Sequence, residues 1–565
     1  MLIPLGIAFI VALFASTVVA LTLTPVLCSY MLTTKRALKK NEKEPFVSRT
    51  LKVGYKKALE RALHHKKVVI GTCAALLVFS IIIMTGLGRS FLPPFNEGSL
   101  TINISTMPGI SLEESDNMGR MAEKILLDIP EIQTVARKTG RAELDEHALG
   151  VNVSEMEAPF ELDKRSRDEF LADVRHRLGE LKGVNIEIGQ PISHRIDAML
   201  SGTKANIAIK LFGNDLNKLY NIGGQIKEAI QGIDGIADLT LEQQIERPQL
   251  QIKPKRDMLA KYGIPLPEFS EFINVALSGK VVSQVYEGGK VFDLTVKVHD
   301  DDKANMEQIG NLMIDANGQK IPLHYVAEIL PLVGPNTISR ENVQRKIVVS
   351  ANVAGRDLNG VVKDIQKTVG EQITLPEGYH VEYGGQFESE QAASRTLFLT
   401  SVISILLIFL LLFNEFHSMP LSGIIMLNLP LAIIGGILSI WFTSGIISIP
   451  AIIGFISLFG IATRNGILLV SHYNHLRSEG MSLHDSVIHG SLDRLNPILM
   501  TALTSALALI PLAVGGDLPG NEIQSPMAQV ILGGLLSSTL LNGFVVPIMY
   551  LLLNHEQKEI ENLEI

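Results

Sequence analysis

Again and again along this chain, about 18 or more residues pass with almost no charged side chain. A helix of that length crosses a ~30 Å hydrocarbon core. In hydrocarbon every backbone N–H and C=O must find its partner internally, so such a run folds as a helix rather than as a loop or an open strand. Seven candidate spans follow, at roughly 4–31, 68–87, 396–413, 420–442, 449–472, 497–514 and 527–553. The first lacks both the positive n-region and the small-residue cleavage site of a signal peptide, so it reads as a spanning helix.

Charge then orients the spans. Residues 32–67 carry twelve Lys/Arg against three Glu. By the positive-inside rule this basic loop, which includes an amphipathic helix, is cytoplasmic. Alternation puts residues 88–395 outside, which is the periplasm for a chain of a bacterial inner membrane. The loops 414–419 and 473–496 fall inside, the latter with Arg477 and Arg494, while 443–448 and 515–526 fall outside with Asp517 and Glu522. An odd number of spans with an external start leads to the expectation that earlier spans are missing. Cys28 and Cys73 both lie in apolar stretches, so no disulfide framework is implied.

The block between the second and third spans has soluble composition and a repeat. Residues 100–106 alternate apolar and polar and predict a strand. A helix follows from Ser111 to about Leu127, with Glu113 and Glu114 in its first turn. Strands are expected at 132–138, 158–162 and 184–189, with a helix over 166–182. That order is βαββαβ, the ferredoxin-like split unit. It recurs as strand 206–212, helix 215–231, strand 236–242, strand 346–353, helix 358–373 and strand 379–385. An insert at 243–342 divides the second copy. The competing arrangement is a single irregular α+β domain.

Few residues offer chemistry. Arg464 sits mid-span beside Asn465, and a charge there costs about 2.5–3.5 kcal/mol on insertion scales, so it needs a partner or a water path. A proton relay is one reading; a structural ion pair or snorkelling is the other. No Asp or Glu lies deep in any span, so a carboxylate that exchanges protons must come from elsewhere. Outside the spans, Asp145, Glu146 and His147, then Glu155, Met156 and Glu157, then Asp197 and Met199 form a sequence of possible metal ligands. Carboxylate and imidazole suit divalent ions, and thioether suits Cu(I). None has diagnostic spacing, and a solvated acidic loop is the plainer reading. The chain has no nucleotide P-loop and no Rossmann fingerprint, and no nucleophile–base arrangement. ATP-driven transport by this chain is therefore not expected, and no cofactor, enzymatic centre or nucleic-acid partner is implied; the spans meet membrane lipid.

The segments SFLPPFNEG (90–98), KTGRAE (138–143), HRIDAMLSG (194–202), GGQFESEQ (384–391), ATRNGILLV (462–470) and LPGNEIQSPMA (518–528) resemble the resistance-nodulation-division exporters, most of all their heavy-metal efflux branch. The resemblance covers essentially the whole chain. It implies a membrane helical bundle corresponding to spans six to twelve of a twelve-span pump, plus an α+β periplasmic region. In that arrangement 1–31 and 68–87 are spans, joined by the basic loop 32–67. Residues 97–202 form one porter subdomain, 205–242 with 345–385 a second, and 243–342 a docking subdomain. Five spans occupy 396–553, and 554–565 is a cytoplasmic tail. The expected activity is efflux driven by proton antiport. The implied partners are the N-terminal half of the pump, a homotrimer, a periplasmic adaptor and an outer-membrane channel.

Arg464, Asn465 and Thr501 match the family's polar relay positions, while its proton-carrying aspartate lies on a span not present here. Asn496 departs from the arginine that many relatives carry before the following proline. Three methionine positions of copper/silver members correspond to Asn103, Glu155 and Ala198. Loss of those thioethers favours Zn, Co, Ni or Cd over Cu or Ag, with Glu155, Met156, Glu157, Asp197 and Met199 as candidate ligands. A small-molecule exporter on the same scaffold, or an inactive fragment or membrane scaffold, are the rival readings.

Overall fold

The computed structural model describes residues 2–31, 45–93, 95–140, 150–162, 164–202, 204–243, 246–335, 337–516, 518 and 520–561. It divides into two compact units, Met1–Asn96 with Glu390–Ile565, and Glu97–Ser389. In chain order come α1 (Leu2–Leu21), α2 (Leu23–Met31), α3 (Phe46–His64), α4 (Lys66–Gly86) and the short β1 (Gly88–Ser90). Next are β2 (Ser99–Ser105), α5 (Leu112–Leu127), β3 (Ala136–Thr139), β4 (Val153–Pro159), α6 (Arg167–Leu178), β5 (Asn185–Gly189) and α7 (Pro191–Ser201). After them lie β6 (Ile207–Phe212), α8 (Leu216–Ile230), β7 (Ile236–Leu241), β8 (Glu246–Pro254), α9 (Arg256–Tyr262) and α10 (Leu266–Leu277). Strands β9 (Lys280–Glu287), β10 (Lys290–Val296), β11 (Met313–Ala316), β12 (Gln319–Pro322), β13 (Ala327–Pro335), β14 (Arg340–Glu341) and β15 (Gln344–Val353) precede α11 (Leu358–Gln372) and β16 (His380–Gly385). The last elements are α12 (Gln386–Phe416), α13 (Met419–Met426), α14 (Asn428–Phe442), β17 (Ile446–Ser448), α15 (Ile449–Ser478), α16 (Leu483–Val514) and α17 (Gln524–Glu561).

Among the described residues, seven helices are long and apolar enough to cross a membrane, including Ile10–Met31 and Met419–Phe442. Several outrun the apolar windows read from sequence. The clearest is α16, which starts at Leu483 rather than near 497 because Ser482 caps the N–H of Asp485 and launches a polar first half. The packing of α14 on α17 rests on absent side chains. A Cβ on Gly435 would lie 2.1 Å from the Gly533 carbonyl oxygen, and one on Gly533 would lie 2.5 Å from that of Gly435. With the backbones this close, serines bond across: Ser439 donates to the Gln529 carbonyl at 2.8 Å and Ser537 to that of Leu431 at 2.9 Å. Small residues with crossing hydrogen bonds are how helices associate where lipid removes the hydrophobic drive. Gly534 likewise receives Leu458 of α15, whereas Gly460 meets nothing within 4 Å and makes no close crossing.

In the other unit, two sheets share one topology. The first has the order β3-β4-β2-β5 with every pairing antiparallel. In the second, β7 and β14 both pair with β15, followed by β6 and β16. Each sheet covers one face with its two helices. Leu100, Ile102, Ile104, Met156 and Ala158 meet Leu126 and Phe170 in the first; Ile207, Ile209 and Val349 meet Ile226 and Val362 in the second. The third strand of the first sheet runs from Val153, not over 158–162. Ser154, Met156 and Ala158 alternate inward there, so Glu155 and Glu157 belong to a strand rather than to a solvated loop. Between β7 and β15, the insert closes its own core around Leu259, Phe269, Ile309 and Leu323. Its two longest strands, β8 and β13, pair along nine positions.

Gly435→Ala is expected to lower thermal stability in detergent by about 1–3 kcal/mol, since the added carbon meets backbone that cannot yield. Gly460→Ala, which meets nothing, is expected to be neutral or to stabilise by up to about 1 kcal/mol. Equal behaviour of the two variants in a thermal melt would refute the close crossing.

Candidate metal site

Because α5 and α6 take one face of the first sheet, the other face carries its polar residues. Strand pairing sets Lys138, Glu155, Asn103 and Glu187 in a row across the four strands, and Ala136, Glu157, Thr101 and Gly189 in the next row. Glu155 is held by two ammonium groups, Lys138 at 2.9 Å and Lys204 at 2.7 Å. Burial opposes its ionisation, but Lys204 and Lys138 outweigh that and keep the carboxyl below its ordinary value. Lys204 also donates to Asn103 at 3.1 Å. Beside them, burial raises the pKa of Glu187, although Thr240 donates a hydrogen bond to it at 3.1 Å.

Helix α7 begins with Pro191, which has no N–H to lose and sets the backbone for the first turn. The next two N–H groups, of Ile192 and Ser193, donate to the Glu97 carboxylate at 2.6 and 3.1 Å. An anion at this end also favours the helix dipole. So fixed, α7 turns polar residues inward: His194 is 5% exposed and Asp197 2%. They lie three residues apart and share a helix face. The imidazole rests on Gly189, where a Cβ would stand 1.9 Å from Nε2. Burial, then the charge of Lys204, pushes His194 down to about 4, so it is neutral. Asp197 accepts from Gln386 at 2.7 Å and Asn206 at 3.2 Å, yet burial pushes it up to about 6.

The sequence candidates are thus divided. Glu155 and Glu157 share the polar face with the buried Asn103 and Thr101, Glu157 being exposed. Met156 is not with them: strand alternation sends it to the opposite face, fully buried in the core. Met199 is 85% exposed, away from the face of α7 that carries Asp197. Asp145, Glu146 and His147 lie outside the described residues. Among the described residues no three or more His, Cys, Asp or Glu side chains are already gathered to hold a metal ion. Sequence reasoning missed His194, Gln190, Lys204 and Glu97; the signal for the first was its three-residue spacing from Asp197 in a short helix opened by proline. In the helical unit, Arg464 is exposed on α15 while Asn465 is buried. Thr501 donates to the Pro497 carbonyl of its own helix at 2.8 Å. Among the described residues no hydrogen bond joins the three.

The sequence model of the AcrB/AcrD/AcrF family matches residues 1–554. The chain belongs to that family. The resemblance to resistance-nodulation-division transporters, heavy-metal branch, thereby holds. The cobalt-zinc-cadmium resistance protein CzcA of Cupriavidus metallidurans is 33% identical over 99% of this chain and 53% of its own length. The nickel and cobalt resistance protein CnrA of the same species is 29% identical over 96% of the chain and 51% of its own. The cation efflux system protein CusA of Escherichia coli is 26% identical over 97% and 54%. A crystal structure of a heavy metal efflux pump superposes with a TM-score of 0.76 at 28% identity, covering 90% of this chain and 53% of that one. The chain spans about half the length of the curated relatives it matches.

His194 and Asp197 impose opposite pH dependences on this family member. Asp197, raised from 3.8 to about 6, favours the fold when protonated; that stability is full below about pH 4 and lost as pH rises through 6. His194, lowered from 6.5 to about 4, favours the fold when neutral; that stability is full above pH 6.5 and lost as pH falls through 4. Each window is worth about 3 kcal/mol. Asp197→Asn should leave a chain whose melting temperature climbs between pH 4 and 6.5, and His194→Gln one whose melting temperature falls between pH 4 and 6. Parallel profiles for the two variants would show that burial does not govern these groups.

Proposed function

We propose that the chain works in proton-driven export of divalent transition-metal cations, zinc, cobalt, nickel or cadmium before copper or silver. The observation that carries this is the match along 99% of the chain to a protein named for cobalt, zinc and cadmium resistance. The chemistry of the open sheet face supports the choice of ion. Oxygen and nitrogen groups line it, while Met156 is sealed in the core and Met199 points to solvent. With Met156 and Met199 both turned away from that face, soft Cu(I) loses these two ligands, whereas borderline divalent ions keep the oxygen and nitrogen groups. Glu157 and Asp197 are the carboxylates we assign to transient binding, and Glu155 joins them only when its lysines let go. Release is part of a transporter's task, so weak and exchangeable ligands suit it.

In this reading the two βαββαβ sandwiches are porter subdomains and the insert is a docking subdomain, all in the periplasm. The remaining half of the pump is supplied by the same polypeptide or by another. Complete pumps assemble as homotrimers with a periplasmic adaptor and an outer-membrane channel. Arg464 supports the need for a further partner surface: it stands exposed and is the one charged residue of 449–471, where lipid would oppose its charge. A carboxylate from the other half would pair with it and pass protons together with Asn465 and Thr501.

The test is metal efflux from cells or proteoliposomes under an imposed proton gradient, with both halves of the pump present. Zinc, cobalt or nickel should leave, and Arg464→Ala should reduce the rate at least about tenfold at unchanged protein level. Export of dyes or drugs without any metal movement would move the function to small-molecule efflux.

A further inference from the structure

Helix α3 runs almost directly into α4, with only His65 between them. One of its faces is committed to the helical unit. Leu59 and Leu63 are buried in a cluster with Ile424, Val546 and Tyr550. Two polar contacts fasten the same face. Pro547 inside α17 has no N–H, which frees the Gly543 carbonyl four residues earlier, and Tyr55 donates to that oxygen at 2.5 Å. Asn496 of α16 donates to Ser48 at 2.6 Å. Ser48, Tyr55, Leu59 and Ala62 keep the spacing of a single helix face.

The rest of α3 is exposed, and its chemistry is sorted. Val47, Leu51 and Ala58, at i, i+4 and i+11, form an exposed apolar stripe along one flank of the packed face. Lys57 and Arg61, four residues apart and exposed, run along the far edge of that stripe. Residues 46–67 hold seven Lys/Arg and one acidic residue, Glu60, which lies 4.0 Å from Lys56. Among the described residues no carboxylate pairs with Lys57 or Arg61.

We propose that this flank of α3 is a binding surface for anionic phospholipid, with the headgroup phosphate on Lys57 and Arg61 and the acyl chains along Val47, Leu51 and Ala58. A helix that rests in a membrane interface has this arrangement: an apolar stripe meets the chains, and cations at its border reach up to the headgroups. An acidic soluble protein would satisfy the cations but leave the stripe in water. A neighbouring helix would cover the stripe but meet two charges at its edge, where small or apolar residues serve helix contacts better. The surplus of cations selects an anionic headgroup over a zwitterionic one, because each basic residue near the surface gains from negative charge in the leaflet. Tyr55 and Ser48 hold the opposite face, so α3 offers this surface as a fixed part of the bundle. The proposal rests on the apolar helices being spans and is independent of which ion is exported.

The experiment titrates the purified full chain, delipidated in non-ionic detergent, with mixed micelles of phosphatidylglycerol or of phosphatidylcholine with the same acyl chains. Phosphatidylglycerol is expected to bind at least about tenfold more tightly, and to lose most of that advantage in high salt. Lys57→Gln combined with Arg61→Gln, both at exposed positions, should weaken it about 25-fold, roughly fivefold for each charge. Leu51→Ser should weaken it through the stripe with both cations in place. Lys363→Gln combined with Lys367→Gln removes two exposed charges of the same spacing from α11 and should leave binding unchanged. Equal affinity for the two lipids, or phosphatidylglycerol binding that the α3 double variant does not weaken, would overturn the proposal. Inorganic phosphate or polyglutamate binding more tightly than phosphatidylglycerol would also overturn it, and would assign the cations to a soluble anion or an acidic protein. The export reading stands under any of these results.

Discussion

A polar group taken out of water without a partner costs roughly 2–7 kcal/mol, and the two units of this protein answer that cost differently. The helical unit satisfies its peptide groups within each helix and then trims side chains until the helices can touch. Gly435 against Gly533 is such a point, backbone against backbone, and the serines around it bond to carbonyls of the facing helix. The other unit satisfies its peptide groups across strands. That leaves one face of each sheet for helices and the other for polar side chains.

Part of the cost is left standing in both units, at Asn428 and Asn542 among the helices and at Thr101, Asn103, Gln190 and His194 on the polar sheet face. Helix α7 lies with a histidine and an aspartate inward, held by a carboxylate at its first turn. A helix serving only to pack would turn apolar residues that way. Most of the polar face is nevertheless closed: Glu155 by Lys138 and Lys204, Glu187 by Thr240, Asp197 by Gln386 and Asn206. The lysines matter to transport chemistry because a carboxylate so paired must release a cation of the protein before it can bind one from solution. Ion exchange of that kind ties binding to movement of the side chains, and weak binding follows from it.

Much of the architecture was legible in the sequence. The seven apolar runs fixed the helices, and both βαββαβ orders could be read from alternation and capping, including the insert that splits the second. The third strand of the first sheet was displaced because acidic residues at alternate positions look like a loop when the inward partners are Ser154, Met156 and Ala158. The candidate ligands fared unevenly for the same reason. Glu155, Met156 and Glu157 are neighbours in sequence, but a strand sends alternate residues to opposite faces. Met156 went to the core, while Asn103 and Thr101, some fifty residues earlier, came to stand beside Glu155 and Glu157.

What the sequence determined by itself was periodicity: where hydrocarbon-length helices lie, which stretches alternate as strands, and that Arg464 stands deep within an uncharged run. These are local properties, set by spacing and by transfer cost. Tertiary structure alone decided which polar atoms lose water and which find partners. His194 sits on Gly189 because β5 leads directly into α7, and neither of its ring nitrogens finds a hydrogen-bond partner there. Satisfaction of a buried group depends on three-dimensional neighbours drawn from distant parts of the chain, and no one-dimensional pattern carries it.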